Sequence, residues 1–416
     1  MYFQGRNLFH GKEQNMFLNS KINKVLFLFM LFAAVLVIAG CGTKARAPIG
    51  ELDTPEHHVF IGMKLIDQEK YQDAEREFKL ALELNDKYSK AYTGMGLTKA
   101  YQQNFYAALE QMDRAWGLAK TKDEQLAVHI GYIRVNTLSK QTCMKIGVDC
   151  EQDKSWLKKC QSSFNEAVEI DPSSSAAHYF MGMAYKTGLE YGQAAAMFAR
   201  VLEIKRDYVN QADAQWNLIQ KIQRAMPGTV TGKKIALVER ITRADAAALF
   251  MEELKIDVLY KKRTPKTFDT SFKDPEKAAQ ASQPVKRTAK DIAGHPLKAD
   301  IEGILEIGVR GLEINPQGNF QPADFLNRAE YALMLEDILM KVSGDNSLAT
   351  KFIGSTSPFP DLRSDLPYFN AVMVVTSRGI MEATDITTGE FAPLKPVAGV
   401  DALLIIRKIK EELKFN

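Results

Sequence analysis

The chain has 416 residues, of which 46% are hydrophobic and 25% are charged, so it is long enough for two or three domains with ordinary cores. Its formal net charge is only +3. A nucleic-acid-binding protein normally carries a strong basic patch or stripe, so we expect no nucleic-acid partner.

The first element in chain order is a cationic and then apolar segment. Lys21 and Lys24 precede an unbroken apolar stretch, Val25–Ile38, which leads through two small residues to Cys41. A cationic start, an apolar stretch and a small-residue exit are typical of a secretory signal. We therefore predict a signal peptide over residues 16–40.

The end of this segment, residues 36–41, reads L-V-I-A-G-C and resembles the lipobox of bacterial lipoproteins. The resemblance implies that the Cys41 thiol is acylated and that a signal peptidase cuts before it. Two or more acyl chains give stable membrane anchoring. Residue 42 is Gly rather than Asp, which by resemblance to the sorting rules of two-membrane bacteria implies the periplasmic side of the outer membrane. The alternative is a plain transmembrane anchor, for which the stretch is short against a span of about 20 residues.

Two short segments flank the signal peptide. Residues 1–15 are expected to be an upstream or vector-derived extension, because Tyr2–Gly5 resembles a protease-site remnant. Residues 41–54 are predicted to be the tether between the lipid and the first folded domain.

Residues 55–226 contain an internal repeat in which small and large apolar residues recur at fixed spacing. The sets are Gly62, Ala74, Phe78 and Ala81; Gly96, Ala108, Met112 and Ala115; Cys160, Phe164, Ala167 and Pro172; and Gly182, Ala194, Phe198 and Val201. This pattern resembles the tetratricopeptide repeat. Small residues let two antiparallel helices approach closely, and the large residue fills the space between repeats. Cys160 replaces the first Ala of its set, so we expect it to be buried.

The array is predicted to carry an insertion and a cap. The second helix of the third repeat begins only at about Lys154, which leaves an insertion over residues 141–153. We predict that Cys143 and Cys150 form a disulfide that limits the entropy of this loop. Residues 207–226 have helical spacing and are predicted to form the capping helix that the last repeat of an array needs.

In tetratricopeptide proteins the first helix of each repeat lines a concave groove. The positions carried over from the family are Val59, Met63, Thr93, Tyr101, Tyr132, Asn136, Tyr179 and Met183. This set is apolar and aromatic, so it implies a protein or peptide partner with hydrophobic anchors. The alternative is that some of these residues pack against the chain's own loops or the neighbouring domain.

Residues 227–416 repeat a different pattern. Residues 241–245 read I-T-R-A-D and residues 326–330 read L-N-R-A-E, and each predicts a capping box at the start of an apolar helix. A G-x-F-x-P turn follows an acidic turn and a helix at Gly318–Pro322, and again at Gly389–Pro393. This order of elements resembles the S-layer homology (SLH) domain, in which three modules pack as one pseudo-threefold unit.

In the SLH family these modules bind cell-wall polysaccharide or peptidoglycan-linked polymer, and the Arg of the helix-start motif contacts anionic sugar substituents. The resemblance implies that Arg243 and Arg328 are glycan-binding residues, because the guanidinium fork binds a carboxylate bidentately. The third copy, Val397–Asp401, has no Arg, so at most two of three grooves are expected to bind sugar. The alternative is that both arginines pair with nearby acids and brace the helix starts.

Between the first and second copies lies a basic segment, residues 261–290. It holds nine Lys or Arg against three acids, with several Pro, Ser, Thr and Gln. Because such a composition buries little apolar surface, we predict a mobile loop. A weaker interpretation is salt-sensitive contact with anionic lipid headgroups or polymer.

Together the patterns predict a mainly α-helical protein, with a tetratricopeptide superhelix followed by an SLH-like three-module unit. The leading hypothesis is a lipid-anchored cell-envelope scaffold that docks a protein partner in its groove and engages wall polymer. The alternative is a pilotin-like or accessory lipoprotein that assembles an outer-membrane or secretion machine, with purely structural SLH-like modules. No G-x-S-x-G or H-E-x-x-H motif occurs, so we expect no enzyme activity, and we expect neither a cofactor nor a metal.

Overall fold

A computed structural model describes residues 45–146, 153–263 and 288–415. These residues are mainly helical and, between them, form isolated β-bridges but no β-strand, which confirms the predicted mainly α fold. The predicted signal peptide and Cys41 lie outside the described residues. The chain divides into two compact units between Ser139 and Lys140, and each unit is described by itself.

The first unit contains two helix pairs and the beginning of a long fifth helix. The helices are α1 (Pro55–Asp67), α2 (Tyr71–Leu84), α3 (Ser89–Tyr101), α4 (Phe105–Leu118) and α5 (Lys122–Ile146). Helix α1 packs against α2, and α3 packs against α4. Thr54 caps α1 and Asn104 caps α4 by accepting a backbone N–H with the side-chain oxygen, as expected at helix starts.

Large buried side chains set the spacing between these helices. The ring of Phe78, on α2, is fully buried, and a Cβ atom would lie 2.6 Å from it at Gly62 and 2.2 Å from it at Gly94. One pair later, a Cβ atom at Gly131 would lie 2.4 Å from the methyl carbon of Met112. The predicted pairing of small with large residues is therefore confirmed.

The second unit contains the remaining helices. They are α6 (Ser155–Ile170), α7 (Ser175–Thr187), α8 (Tyr191–Ile204), α9 (Val209–Ala225), α10 (Val230–Ile235), α11 (Arg243–Ala248), α12 (Ile256–Arg263), α13 (Lys298–Ile307), α14 (Arg328–Ser343), α15 (Phe369–Ser377) and α16 (Gly399–Phe415). A π-helical turn, Leu249–Glu253, continues α11, and 3-10 turns form at Lys290–Ile292 and Asn346–Thr350.

Helix pairs continue into this unit. Helix α7 packs against α6 and α8, and the ring of Phe198 on α8 lies where a Cβ atom at Gly182 would come within 2.6 Å of it. Cys160 is fully buried and is not part of a disulfide, and its predicted burial is therefore confirmed. A helix is present where the capping helix was predicted, namely α9, and it packs against both α8 and α16. Its role as the cap of a repeat array stays a prediction.

One continuous core of the second unit runs from Tyr191 to Leu413. The Tyr191 hydroxyl donates a hydrogen bond to the carbonyl of Lys233, 2.7 Å away. The predicted change of repeat type at residue 226 therefore does not coincide with a break in the core.

The structure differs from the sequence expectation at two loops. Helix α5 continues to Ile146, so residues 141–146 of the predicted insertion are helical, because no Gly or Pro lies between residues 132 and 146. Residues 261–263 of the predicted loop belong to α12, and its last residues, from 288, include a 3-10 turn. Residues 264–287 lie outside the described part of the chain.

The segment before α1 is attached to the first helix pair by a cluster of four charged side chains. Arg46 donates to Asp53 at 2.7 Å, and the two ring nitrogens of His58 lie 2.9 Å from Asp53 and 2.7 Å from Glu77. The bond from Arg46 does most to hold the pKa of Asp53 well below its usual range. Burial alone would lower the pKa of His58, but its two carboxylate partners raise it above the ordinary value.

This geometry predicts that alkaline pH weakens the attachment. Because the pKa of His58 is raised on folding, its stabilising effect is fully present below its ordinary value of about 6.5 and is lost as pH rises through the folded value. We expect the thermal midpoint of the first unit to be higher in the parent than in His58→Gln, and this difference should shrink as pH rises above that value. His57→Gln is the control. A difference that stays constant with pH contradicts the assignment.

Candidate functional site

The two predicted glycan-binding arginines, Arg243 and Arg328, make equivalent contacts between a helix start and a later G-x-F-x-P turn. We call each of these contacts a joint. At the first joint, Arg243 donates through Nε to the carbonyl of Phe320 at 2.8 Å and also binds the carbonyls of Gly311 and Glu313. Its guanidinium carbon lies 4.8 Å from the centroid of the buried Phe320 ring. Asp291 completes this joint by accepting the backbone N–H groups of Phe320 and the residue after it, at 2.8 and 2.7 Å.

The second joint repeats these contacts almost atom for atom. Arg328 donates through Nε to the carbonyl of Phe391 at 2.8 Å, binds the carbonyl of Glu382, and lies 4.4 Å from the Phe391 ring centroid. Asp361 accepts the backbone N–H groups of Phe391 and Ala392 at 2.9 and 2.7 Å. The acidic turn and the G-x-F-x-P turn that the sequence singled out are thus two halves of one contact.

Both capping boxes are present. Thr242 and Asp245 cap α11 reciprocally, and Asn327 and Glu330 cap α14 in the same way. The predictions from residues 241–245 and 326–330 are therefore confirmed. Each box fixes the start of a helix, and the arginine directly after the capping residue is placed against the neighbouring turn.

A closed ring of backbone hydrogen bonds joins the three helix starts. Ile241 donates to Val397 at 2.9 Å, Leu326 donates to Ile241 at 3.0 Å, and Val397 donates to Leu326 at 3.1 Å. Each residue stands two positions before the first residue of α11, α14 or α16. Because each member both donates and accepts, the three segments are related by a pseudo-threefold axis at this point.

The third joint differs because a helix fills it. Gly399 stands where the other two joints have arginine, and its N–H donates to the carbonyl of Val238 at 2.9 Å. A Cβ atom at Gly399 would lie 1.7 Å from the carbonyl oxygen of Ile235, at the end of α10. The missing arginine thus has a steric cause, since no side chain fits at this position.

The arginines act on the backbone within their joints. Every hydrogen bond that their guanidinium groups make among the described residues ends on a carbonyl oxygen rather than on a carboxylate. Burial lowers the pKa of Arg243 and Arg328, and nearby carboxylates oppose that shift, but a guanidinium stays charged in proteins. This arrangement corresponds to bracing of helix starts, with carbonyls in place of the acids that the sequence led us to expect. Sugar binding by these two residues stays a prediction.

Six of the predicted groove residues lie in the first unit, on α1, α3 and α5: Val59, Met63, Thr93, Tyr101, Tyr132 and Asn136. Thr93 is buried, and the other five are half-buried. Tyr101 stacks on Tyr71 with 5.1 Å between ring centroids, and the Tyr132 hydroxyl donates to Asp113 at 2.5 Å. Part of this set therefore contacts the unit's own side chains.

The other two predicted groove residues, Tyr179 and Met183, lie on α7 in the second unit and are half-buried. Tyr179 stacks on Tyr208 with 4.9 Å between ring centroids. A single groove formed by all eight residues stays a prediction.

Of the four cysteines, two can be placed. Cys143 is disulfide-bonded, whereas Cys160 is not part of a disulfide. Cys150, the predicted partner of Cys143, lies outside the described residues, as does Cys41, so that pairing and the acylation both stay predictions.

The sequence pattern predicted acidic turns, but it did not predict that Asp291 and Asp361 in these turns accept N–H groups of the G-x-F-x-P turns. Each stands about 30 residues before its Phe, so no local pattern connects them. The repeated spacing itself was the available signal: 29 residues separate Asp291 from Phe320, and 30 separate Asp361 from Phe391.

Comparison of the sequence with protein-family models finds no match, and comparison with curated proteins finds none either. None of the helices that the structure describes is both long enough and apolar enough to cross a membrane. Within the same residues, no group of three or more His, Cys, Asp or Glu side chains is arranged to hold a metal ion.

Proposed function

We propose that this protein is a lipid-anchored cell-envelope scaffold. In this proposal Cys41 carries the acyl chains, tetratricopeptide-like helix pairs dock a protein or peptide partner, and an SLH-like three-module unit engages wall polymer. The site of action is the periplasmic side of the outer membrane. The protein acts by binding and carries out no chemistry.

The observation that carries the proposal is the backbone ring through Ile241, Leu326 and Val397, with its two matched joints. Three helix starts share this axis, and two of them carry a capping box, which supports the three-module unit that the SLH resemblance implies. Such a unit presents equivalent surfaces several times, which suits a repetitive polymer better than a single small substrate.

The helix pairs support the other half of the proposal. Gly62, Gly94 and Gly131 each lie against a large buried side chain, so the helices approach closely, and this supports the tetratricopeptide resemblance. Half-buried aromatic and apolar residues then remain along α1, α3 and α5. Apolar anchors of a partner peptide would bind such a face.

The second candidate, an assembly factor with purely structural modules, is favoured by one observation. The guanidinium groups of Arg243 and Arg328 are both used to bind backbone carbonyls. Cosedimentation of the purified full chain with isolated peptidoglycan sacculi separates the two candidates. The scaffold proposal expects the chain in the pellet, and the assembly-factor proposal expects it in the supernatant.

The role of the arginines is tested by Arg328→Lys, which keeps the charge but loses the planar fork. We expect the free energy of unfolding of the second unit to fall by about 1–2 kcal/mol, because at least one partly buried carbonyl loses its donor. Sacculus retention should not change at a temperature where both proteins are folded. Arg363→Lys, at an exposed arginine paired with Asp365, is the matched control. A tenfold loss of retention at unchanged stability would make Arg328 a sugar contact instead.

A further inference from the structure

The second unit contains a cavity of about 340 Å³, and none of the predicted site residues lines it. It lies where the end of α5, the start of α6, the turn between α7 and α8, and α10 converge. The lining residues are Lys140, Met144, Lys154, Trp156, Leu157, Thr187, Gly188, Leu189, Glu190, Val230, Lys233 and Lys234.

The wall of this cavity is largely apolar, and its one aromatic residue is half-buried. Trp156 lies beside the buried side chain of Leu157, and Lys140 places its ammonium 5.9 Å from the centroid of the indole ring. An aromatic face next to aliphatic side chains is a surface on which the C–H face of a sugar ring can lie. The cavity volume falls at the lower end of the range of ~300–1,000 Å³ for ligand sites.

The charge of the cavity is strongly one-sided. Four lysines and one glutamate line it, and that glutamate, Glu190, lies 3.3 Å from the ammonium of Lys154. The formal charge of the lining residues, four positive charges minus one negative charge, is therefore +3. A cleft lined by charge of one sign raises the local concentration of ligands of the opposite sign.

We propose that this cavity binds an acidic saccharide unit, with its ring against Trp156 and its carboxylate or phosphate between Lys154 and Lys233. The inference deepens the proposed function, since it places the anionic contact with wall polymer here rather than at Arg243 and Arg328. Lysine suits this task because its ammonium binds carboxylate and phosphate as a point charge without a fixed fork geometry.

The test uses the purified full chain and two defined probes. Calorimetry with digalacturonate measures binding of an acidic disaccharide, and digalactose is its neutral counterpart. We expect the acidic probe to bind at least about tenfold more tightly and its affinity to fall at about 1 M salt, where charge interactions are screened. The acidic probe should change the tryptophan fluorescence of the parent but not of Trp156→Phe.

Two double variants make the test specific. Lys154→Gln with Lys233→Gln should weaken binding of digalacturonate at least about fivefold. Two lysines are replaced together because a single ion pair at the surface contributes little binding free energy. Lys298→Gln with Lys351→Gln removes two exposed lysines elsewhere in the same unit and should leave the affinity unchanged. Equal loss in both pairs, or equal affinity for the neutral probe, overturns the proposal. The proposal is also overturned if a peptide that ends in a leucine carboxylate binds more tightly than digalacturonate.

The outcome separates this proposal from the scaffold proposal. Retention on sacculi without binding of digalacturonate overturns the cavity assignment and leaves the scaffold in place. Binding of digalacturonate that depends on Lys154 and Lys233, without retention on sacculi, supports the cavity and contradicts wall engagement.

Discussion

Replacing Gly399 with alanine should lower the free energy of unfolding of the second unit by about 3 kcal/mol or more. The added methyl group would lie 1.7 Å from the carbonyl oxygen of Ile235, and backbone atoms cannot move aside as the end of a side chain can. Relief requires α10 or α16 to shift, and either movement strains the hydrogen bond from Gly399 to Val238.

Chemical denaturation followed by hydrogen exchange of peptides from residues 227–415 measures this effect. Gly192→Ala is the matched control, because Gly192 lies in α8 with no atom within 4 Å of its built Cβ. There alanine should stabilise the helix by up to about 1 kcal/mol. If Gly399→Ala is as stable as the parent, α10 does not close the third joint.

The second large effect is expected from Phe78→Ala in the first unit. Phe78 is fully buried between Gly62 and Gly94, so its removal leaves a cavity that rigid helices cannot fill. We expect a loss of about 3–5 kcal/mol. Hydrogen exchange of peptides from residues 55–139 measures it. Tyr106→Ala, at a side chain that is 85% exposed in the same unit, should change stability by less than about 0.5 kcal/mol.

A double-mutant cycle sharpens this test. Gly94→Ala places a methyl group 2.2 Å from the Phe78 ring and should destabilise the parent. In the Phe78→Ala background the same methyl group enters the vacated space, so the destabilisation caused by Gly94→Ala should be smaller by about 1–2 kcal/mol. Additive effects of the two substitutions would contradict the packing described for this pair of helices.

The sequence predicted those parts of the fold that depend on local pattern. The spacing of Phe78 and Cys160 within their repeats predicted that both are buried, because small and large residues at these intervals lie where neighbouring helices pack together. The capping boxes at Thr242 and Asn327 followed from residues three positions apart, and a capping box is a local interaction.

Features that depend on distant residues were not predictable in this way. Arg243 was singled out by its motif, but its acceptors lie about 70 residues later, and the sequence does not indicate that they are carbonyls. Helix α10 was missed because it is short, and with it the steric reason for Gly399. The lysine-lined cavity combines four separate segments, none of which has a motif of its own.

The ring of hydrogen bonds through Ile241, Leu326 and Val397 also has consequences for folding and for truncation of this part of the chain. Its first and third members are far apart in sequence, so the ring closes only after nearly the whole chain is available, and such long-range closure slows folding. A chain that ends before Val397 would leave the Ile241 N–H without its acceptor and the Leu326 carbonyl without its donor. The three helix starts therefore depend on one another for these backbone hydrogen bonds.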